Sequence, residues 1–202
     1  MKQTECTDTK KKILLQAFLL FSKKPYDEVT FSDLELATGL SRGAILYHVK
    51  TKINLFNEVI ESSLFSRSST LEIQIQEKDC LKNFILEFIH NCEVAMKTMR
   101  SYGLKNINRA HFNIESQALY YYANYAEISK QWVATEIKIW QQVIKKAIEK
   151  EEIIEVDSEA MALVFEKIYL GHAYTDVTSE NGCDTELLKR ELFTIYELIK
   201  RK

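Results

Sequence analysis

The stretch Thr30-Phe-Ser-Asp-Leu-Glu-Leu-Ala-Thr-Gly39-Leu40-Ser41-Arg42-Gly43-Ala44-Ile45-Leu46-Tyr47-His48 decides the reading of this chain. It has the parts of a helix-turn-helix: a short first helix, a tight turn, and a second helix free to enter a groove. Leu34 and Ala37 can face inward from the first helix, and the small Ala37 allows a close helix crossing. Gly39 stands where a left-handed residue ends a helix. Leu40 plugs the turn, Ser41 is suited to cap the second helix, and Ile45 and Leu46 anchor that helix from below. Arg42, Gly43, Ala44, Tyr47 and His48 are left for the outer face. An exposed second helix presents its N-terminal residues to base edges, and arginine can hold guanine O6 and N7 together. Gly43 permits a close backbone approach, while Tyr47 and His48 reach phosphate oxygens. Thr30 and the helix start at Thr51-Lys52 offer further groups to phosphate.

Working outward, apolar residues recur at helical spacing almost everywhere. Helices are expected over about 9–22, 32–38, 42–48, from 52 into the 61–69 region, and over 81–101, 104–125, 126–150, 158–175 and 184–200. Ser158 and Asp184 read as N-caps. With 5 Gly and 1 Pro in 202 residues, the chain lacks the turn formers that many short strands need, so the expected class is all-α. The 46% hydrophobic and 28% charged residues exclude wholesale disorder. No apolar run reaches the 18 residues of a membrane span, and the polar start does not read as a secretory signal. Cys6, Cys80, Cys92 and Cys183 form no Cys-x-x-Cys pair, so free thiols in a reducing cytoplasm are expected. The net charge of −2 divides into +2 over residues 1–60 and −4 over 61–202, a slight bias toward an anionic partner for the N-terminal part.

The run Asp33-Leu34, Ala37-x-Gly39-Leu40-Ser41-Arg42-Gly43-Ala44-x-Leu46-Tyr47-His48-x-Lys50-x-Lys52, then Leu55-Phe56, resembles the DNA-binding domain of the TetR family of bacterial transcriptional repressors. The likeness covers about residues 9–60. Glu35 and Leu36 stand where the family has a small apolar and then a polar residue, and Val49 replaces an aromatic. The resemblance implies a three-helix DNA-binding domain over residues 1–52 and a larger helical effector-binding and dimerisation domain over 53–202. It implies double-stranded operator DNA, a small organic effector and a second copy of the chain as partners, and a cytoplasmic protein without cofactor. Thr30, Ser41, Arg42, Gly43, Ala44, Tyr47, His48, Lys50 and Lys52 would meet DNA. For the effector pocket, which such sites line with aromatic and apolar groups, the candidates are Phe84, Phe88, Cys92, Phe112, Trp132, Trp140, Phe165 and Tyr169, with His111 and His172 as polar partners. For a four-helix dimer interface they are Leu163, Leu170 and Tyr174 together with Leu188, Leu192, Ile195, Tyr196 and Ile199.

Catalysis finds little support. Glu87-x-x-His90 has the spacing of a helical di-iron ligand pair, but such a centre needs two copies, and no second one exists. There is no Gly-x-Ser-x-Gly, phosphate-cradling glycine loop or His-Glu-x-x-His. The competing expectation is a helical effector-sensing or protein-interaction module without sequence-specific DNA binding.

Overall fold

The computed structural model describes residues 2–65 and 81–202, with side chains from residue 8 onward. Among them the helices are α1 (Lys2–Phe21), α2 (Phe31–Thr38), α3 (Arg42–Val49), α4 (Lys52–Ile60), α5 (Leu81–Ser101), α6 (Ile107–Tyr121), α7 (Tyr125–Glu149), α8 (Ser158–Thr175) and α9 (Thr185–Ile199). Single 3₁₀ turns stand at Tyr26–Glu28 and Asp176–Thr178, and α4 runs on into a π-helical turn over Glu61–Phe65. The all-α class holds: the described residues contain no strand beyond an isolated antiparallel bridge between Ile153 and Lys200. Cys80, the side chain of Cys6, and the 66–69 end of the expected fourth helix lie outside the described residues.

Two compact units emerge, and the chain crosses between them within α6 and again near the start of α7. The first holds the four N-terminal helices together with Ala110–Ala126. Its core is built from Ile13, Ala17, Phe18 and Phe21 of α1, Leu34, Ile45 and Val49 of the helix-turn-helix, and Leu55, Phe56, Val59 and Ile60 of α4. Phe21 and Phe56 meet edge to face at 4.9 Å, a geometry their ring quadrupoles favour. The later part of α6 closes this unit by hydrogen bonding the C-terminal end of α1. Asn113 Nδ2 donates to Ser22 O at 2.8 Å and Gln117 Nε2 to Phe21 O at 3.1 Å, which satisfies carbonyls that a helix end leaves open. α4 and its flanking turn are part of this unit.

The second unit holds α5, the start of α6, most of α7, and α8 and α9. Leu81, Phe84, Ile85, Phe88 and Ile89 of α5 meet Trp140, Val143, Ile144 and Ala147 of α7, Ala162 and Phe165 of α8, and the inner face of α9 in one core. The Glu152 carboxylate caps α5, accepting from Leu81 N at 2.9 Å and Lys82 N at 3.1 Å. Asp157, one residue before the expected Ser158, is the N-cap of α8, accepting from Glu159 N and Ala160 N. A carboxylate there also meets the positive end of the helix dipole, which a hydroxyl does less well. Asp184 caps α9 as expected, accepting from Leu187 N.

Candidate nucleic-acid interface

The helix-turn-helix is fixed by its caps. Thr30 and Asp33 form a reciprocal capping box at the start of α2: Thr30 Oγ1 accepts from Asp33 N at 3.2 Å and Asp33 Oδ2 from Thr30 N at 2.9 Å. Lys24 pairs with Asp33 at 2.8 Å, and that bond, with those from Thr30, holds the Asp33 carboxyl well below the usual carboxylate range. Gly39 ends α2 at φ 69°, the left-handed region that glycine enters freely. Thr38, which sequence reasoning passed over, is buried and ties the turn from inside: its hydroxyl donates to Leu34 O and accepts from Leu40 N. Leu40 is only half-buried.

α3 starts under two caps. Ser41 Oγ accepts from Ala44 N at 3.3 Å, as its position suggested. The second is Glu35, whose Oε1 accepts from Arg42 N at 2.7 Å. The departure from the family pattern at position 35 thus has a local purpose: a carboxylate answers the first orphan amide of the second helix. Ile45 and Val49 face the core, Leu46 is half-buried, and Tyr47 is 78% exposed. Arg42 and Gly43 are exposed beside it, with the Arg42 guanidinium 5.2 Å from the Phe31 ring. His48 is half-buried and lies edge-on to Tyr47 at 5.3 Å. A Cβ added at Gly43 would meet nothing within 4 Å, so nothing inside the chain asks for glycine there.

The α3–α4 junction separates the two lysines expected to meet DNA. Lys50 is exposed at φ 60°, ψ −55°, and Thr51 N donates across it to Val49 O at 2.7 Å. This is a γ-turn of positive φ, a strained conformation for a residue with a side chain. Lys52 differs from expectation. Its ammonium points inward, donating to Tyr26 O at 2.9 Å and Val29 O at 3.0 Å, and lies 4.4 Å from the Tyr26 ring centre. A cation surrounded by carbonyls is a fastener of the 26–29 turn, so its ammonium is not among the phosphate-facing groups. Thr51, whose hydroxyl accepts from Asn54 N, leaves the start of α4 exposed. Thr30, Ser41, Arg42, Gly43, Tyr47, Lys50 and Thr51 are exposed, with Ala44 and His48 half-buried among them.

The expected effector residues part company. Phe84, Phe88, Trp140, Phe165 and Tyr169 form one aromatic cluster, with Phe84–Trp140 at 4.8 Å, Phe88–Tyr169 at 5.0 Å, and Trp140 stacked on Phe165 at 5.0 Å. Cys92 belongs to the same core, and Trp132 lies half-buried two turns before Trp140. His111 and Phe112 fall in the other unit, where His111 packs 5.6 Å from Phe18 and Phe112 is exposed. His172 is engaged on both ring nitrogens, by Asp176 and Glu191, each at 3.1 Å. His172, Asp176 and Cys183 bring their ligating atoms within 4.8 Å of one another, and burial pushes the Cys183 thiol up to about 12. Sequence reasoning missed Glu136 and Glu166, both buried beside this cluster. The signal was present: Glu136 stands four residues from each tryptophan on an otherwise apolar stripe.

Among the expected dimer residues, Leu188, Leu192, Tyr196 and Ile199 are buried in the core of their own chain. The α9 stripe faces inward, because α5 lies against it and takes up that apolar face. Leu163 and Tyr174 are exposed, and Leu170 and Ile195 half-exposed.

Residues 13–59 match the family model for bacterial regulatory proteins of the tetR family. The HTH-type transcriptional regulator AcrR of Shigella flexneri is 36% identical over 74 residues, 37% of this chain and 34% of that protein. The negative transcriptional regulator IcaR of the biofilm operon icaADBC in Staphylococcus aureus (strain Newman) is 28% identical over 89 residues, 42% of this chain and 47% of that protein. The matched part thus spans between a third and a half of these curated relatives. Solved structures resemble the fold over nearly the whole length. A TetR-family transcriptional regulator from Agrobacterium tumefaciens has a TM-score of 0.69 at 13% identity, covering 97% of this chain and 100% of that one. A protein of Saccharomonospora viridis in complex with choline has the same TM-score at 14% identity, with the same coverage. NalD of Pseudomonas aeruginosa, the secondary repressor of the MexAB-OprM efflux pump, has a TM-score of 0.57 at 15% identity, covering 98% of each chain. The segment that holds the capped helix-turn-helix is thus similar to the matching part of the tetR family of bacterial regulatory proteins, and the likeness of the remaining residues to these solved structures is one of fold.

Proposed function

We propose that the protein is a ligand-responsive transcriptional repressor of the cytoplasm, binding operator DNA as a homodimer with an affinity that a small organic effector modulates. DNA reading lies in residues 1–52, effector binding and dimerisation in residues 53–202, and no catalysis is assigned. The observation that carries this reading is the outer face of α3, where Arg42, Gly43 and Tyr47 stand exposed on a helix whose two caps and buried underside fix its direction. Arg42 meets the Phe31 ring and Tyr47 the His48 ring, yet Tyr47 keeps 78% of its surface in solvent, where a major groove can reach it. Two such helices on a dimer must stand about 34–36 Å apart to enter successive major grooves. An effector that favours another spacing needs a coupling of only about 1–3 kcal/mol to weaken DNA binding measurably. That one structural neighbour holds choline supports a small organic molecule as the effector class.

A gel-shift titration of wild type, Arg42→Ala and Tyr47→Ala on the DNA upstream of the coding sequence tests the reading. Wild type is expected to shift that DNA over random competitor, Arg42→Ala to lose about 5- to 150-fold in affinity, the cost of about 1–3 kcal/mol for one good base contact, and Tyr47→Ala to bind more weakly with its sequence preference unchanged, as loss of a phosphate contact does. A wild type that shows no sequence-specific shift at low salt would leave only the effector-sensing module.

A further inference from the structure

The turn that joins α8 to α9 gathers side chains of three chemical kinds. His172, in the last turn of α8, is buried, and its two ring nitrogens face two carboxylates. Nδ1 lies 3.1 Å from Asp176 Oδ2, and Nε2 lies 3.1 Å from Glu191 Oε2. A neutral imidazole carries one N–H and can answer only one of them. Its other nitrogen then sets a lone pair against a carboxylate oxygen, a conflict that ends only when a proton or a metal ion stands there. Among the described residues, the ion pairs of Asp176 and Glu191 are with His172 alone. The Cys183 thiol completes the group: the ligating atoms of His172, Asp176 and Cys183 all lie within 4.8 Å of one another.

The turn is built to hold these groups still. Asn106 Nδ2 donates to Asp176 O at 2.9 Å and to Ser179 O at 2.8 Å. Asn108 Oδ1 accepts from Cys183 N at 3.1 Å, and Asp176 Oδ2 from Asp184 N at 3.2 Å. Gly182, at φ 80°, makes the tight bend just before Cys183, where an added Cβ would come 3.1 Å from Asn108 Oδ1. Side chains on so braced a turn lose little freedom when they close on a ligand.

We propose that His172 Nδ1, the Asp176 carboxylate and Cys183 Sγ are ligands of a zinc ion, with Glu191 holding the imidazole from behind. Imidazole, thiolate and carboxylate together suit zinc, whereas magnesium and calcium take shells of oxygen. Ligands at zinc's bond lengths around one tetrahedral ion stand about 3.3–3.6 Å apart, which these side chains reach by small rotations. A zinc-bound histidine donates its other ring N–H to a carboxylate, which fixes the ring, and Glu191 stands in that place. Asp176 and Cys183 are half-buried and Glu191 is exposed, so the ion has a way in and water has the fourth position. Burial pushes the Cys183 thiol up to about 12, so its proton leaves for solvent as the zinc–sulfur bond forms, and binding tightens as pH rises.

Full-length protein, kept reduced with a phosphine and stripped of metal by a chelator, is titrated with cobalt(II), which occupies zinc sites and colours them. Thiolate-to-cobalt charge-transfer absorption is expected to rise to saturation and to vanish when zinc is added. Calorimetry of zinc binding in buffers of different ionisation enthalpy is expected to show proton release. Cys183→Ala should lose the charge-transfer band although Cys6, Cys80 and Cys92 remain. Glu191→Gln should keep the band and bind zinc about 10–100-fold more weakly. A wild type without the band leaves His172 an imidazolium between two carboxylates and overturns the proposal. A band that persists in Cys183→Ala, or full zinc affinity in Glu191→Gln, overturns it as well. Should Cys183→Ala lack the wild-type helical spectrum, the isosteric Cys183→Ser answers the same question, with the same expected and overturning results. None of these readouts involves DNA, so the outcome is independent of the repressor reading.

Discussion

Gly43 and Glu166 are each poor choices for the fold that contains them. A glycine inside a helix costs about 0.5–1 kcal/mol against alanine through lost chain entropy, and the space around Gly43 would accept a Cβ freely. Gly43→Ala is therefore expected to raise thermal stability by about that amount while weakening operator binding, and calorimetry beside a gel shift reads both. If the variant binds DNA as tightly as wild type, the backbone at Gly43 does not approach the duplex. Glu166 has the opposite sign with pH. Burial first, and Glu136 second, push its carboxyl up to about 8 in the folded chain against an ordinary 4.5. Between those values the folded state keeps a proton that the unfolded state has given up, so this group's contribution to stability is complete below about pH 4.5 and declines as pH rises toward 8. Glutamine mimics the protonated acid. Glu166→Gln should match wild type near pH 5 and exceed it increasingly up to pH 8, by on the order of 1 kcal/mol per pH unit, in urea melts across that range. That Gly43 stands on the outer face of α3 was legible in the sequence, because Ile45 and Leu46 claim the inner one. Glu166 was not, since period alone cannot tell a solvated acid from one turned inward.

At the scale of helices and their junctions, caps and apolar spacing transmitted most of the architecture. Ser41, Gly39 and Asp184 do what their residue types suggest because each satisfies helix-end groups within a few residues of itself. Contacts made at longer range escaped: Glu152 capping α5 from 70 residues away, Glu35 reaching the start of α3, and Lys52 turning back on the carbonyls of 26–29. The last of these splits two neighbouring lysines into different roles. Lys52→Ala removes charge-assisted bonds of about 1.5–3 kcal/mol in total effect and should lower the melting temperature while leaving the salt dependence of DNA binding unchanged. Lys50→Ala should do the reverse. Removing one phosphate contact reduces the slope of log K against log salt by about 0.9, with the fold's stability nearly constant. A salt series of binding isotherms on both variants separates them, and an unchanged slope in Lys50→Ala would remove Lys50 from the interface.

For the whole molecule, assembly depends on which apolar surface the chain leaves unspent. Amphipathic spacing marked both α8 and α9, but spacing reports that a face is apolar and not what covers it. The α9 stripe of Leu188, Leu192, Tyr196 and Ile199 goes into the chain's own core. On α8 the inner face holds Ala162, Phe165 and Glu166, while Leu163 and Val164 are each 40% and Tyr174 is 70% exposed. A monomer gains nothing from apolar side chains left in water along one helix, whereas a two-fold axis beside them would bury the same residues twice. Tyr174→Glu and Leu163→Glu, alone or together, should therefore shift sedimentation from dimer to monomer with the helical spectrum unchanged, because neither side chain supports the core. The same variants should lose about 10²–10⁴-fold in affinity for a two-half-site operator, the advantage of linked binding, yet keep wild-type affinity for a single half-site, where one α3 acts alone. Equal losses on both DNAs would place the damage in the reading head, and a dimer that survives both substitutions would place the axis on another face.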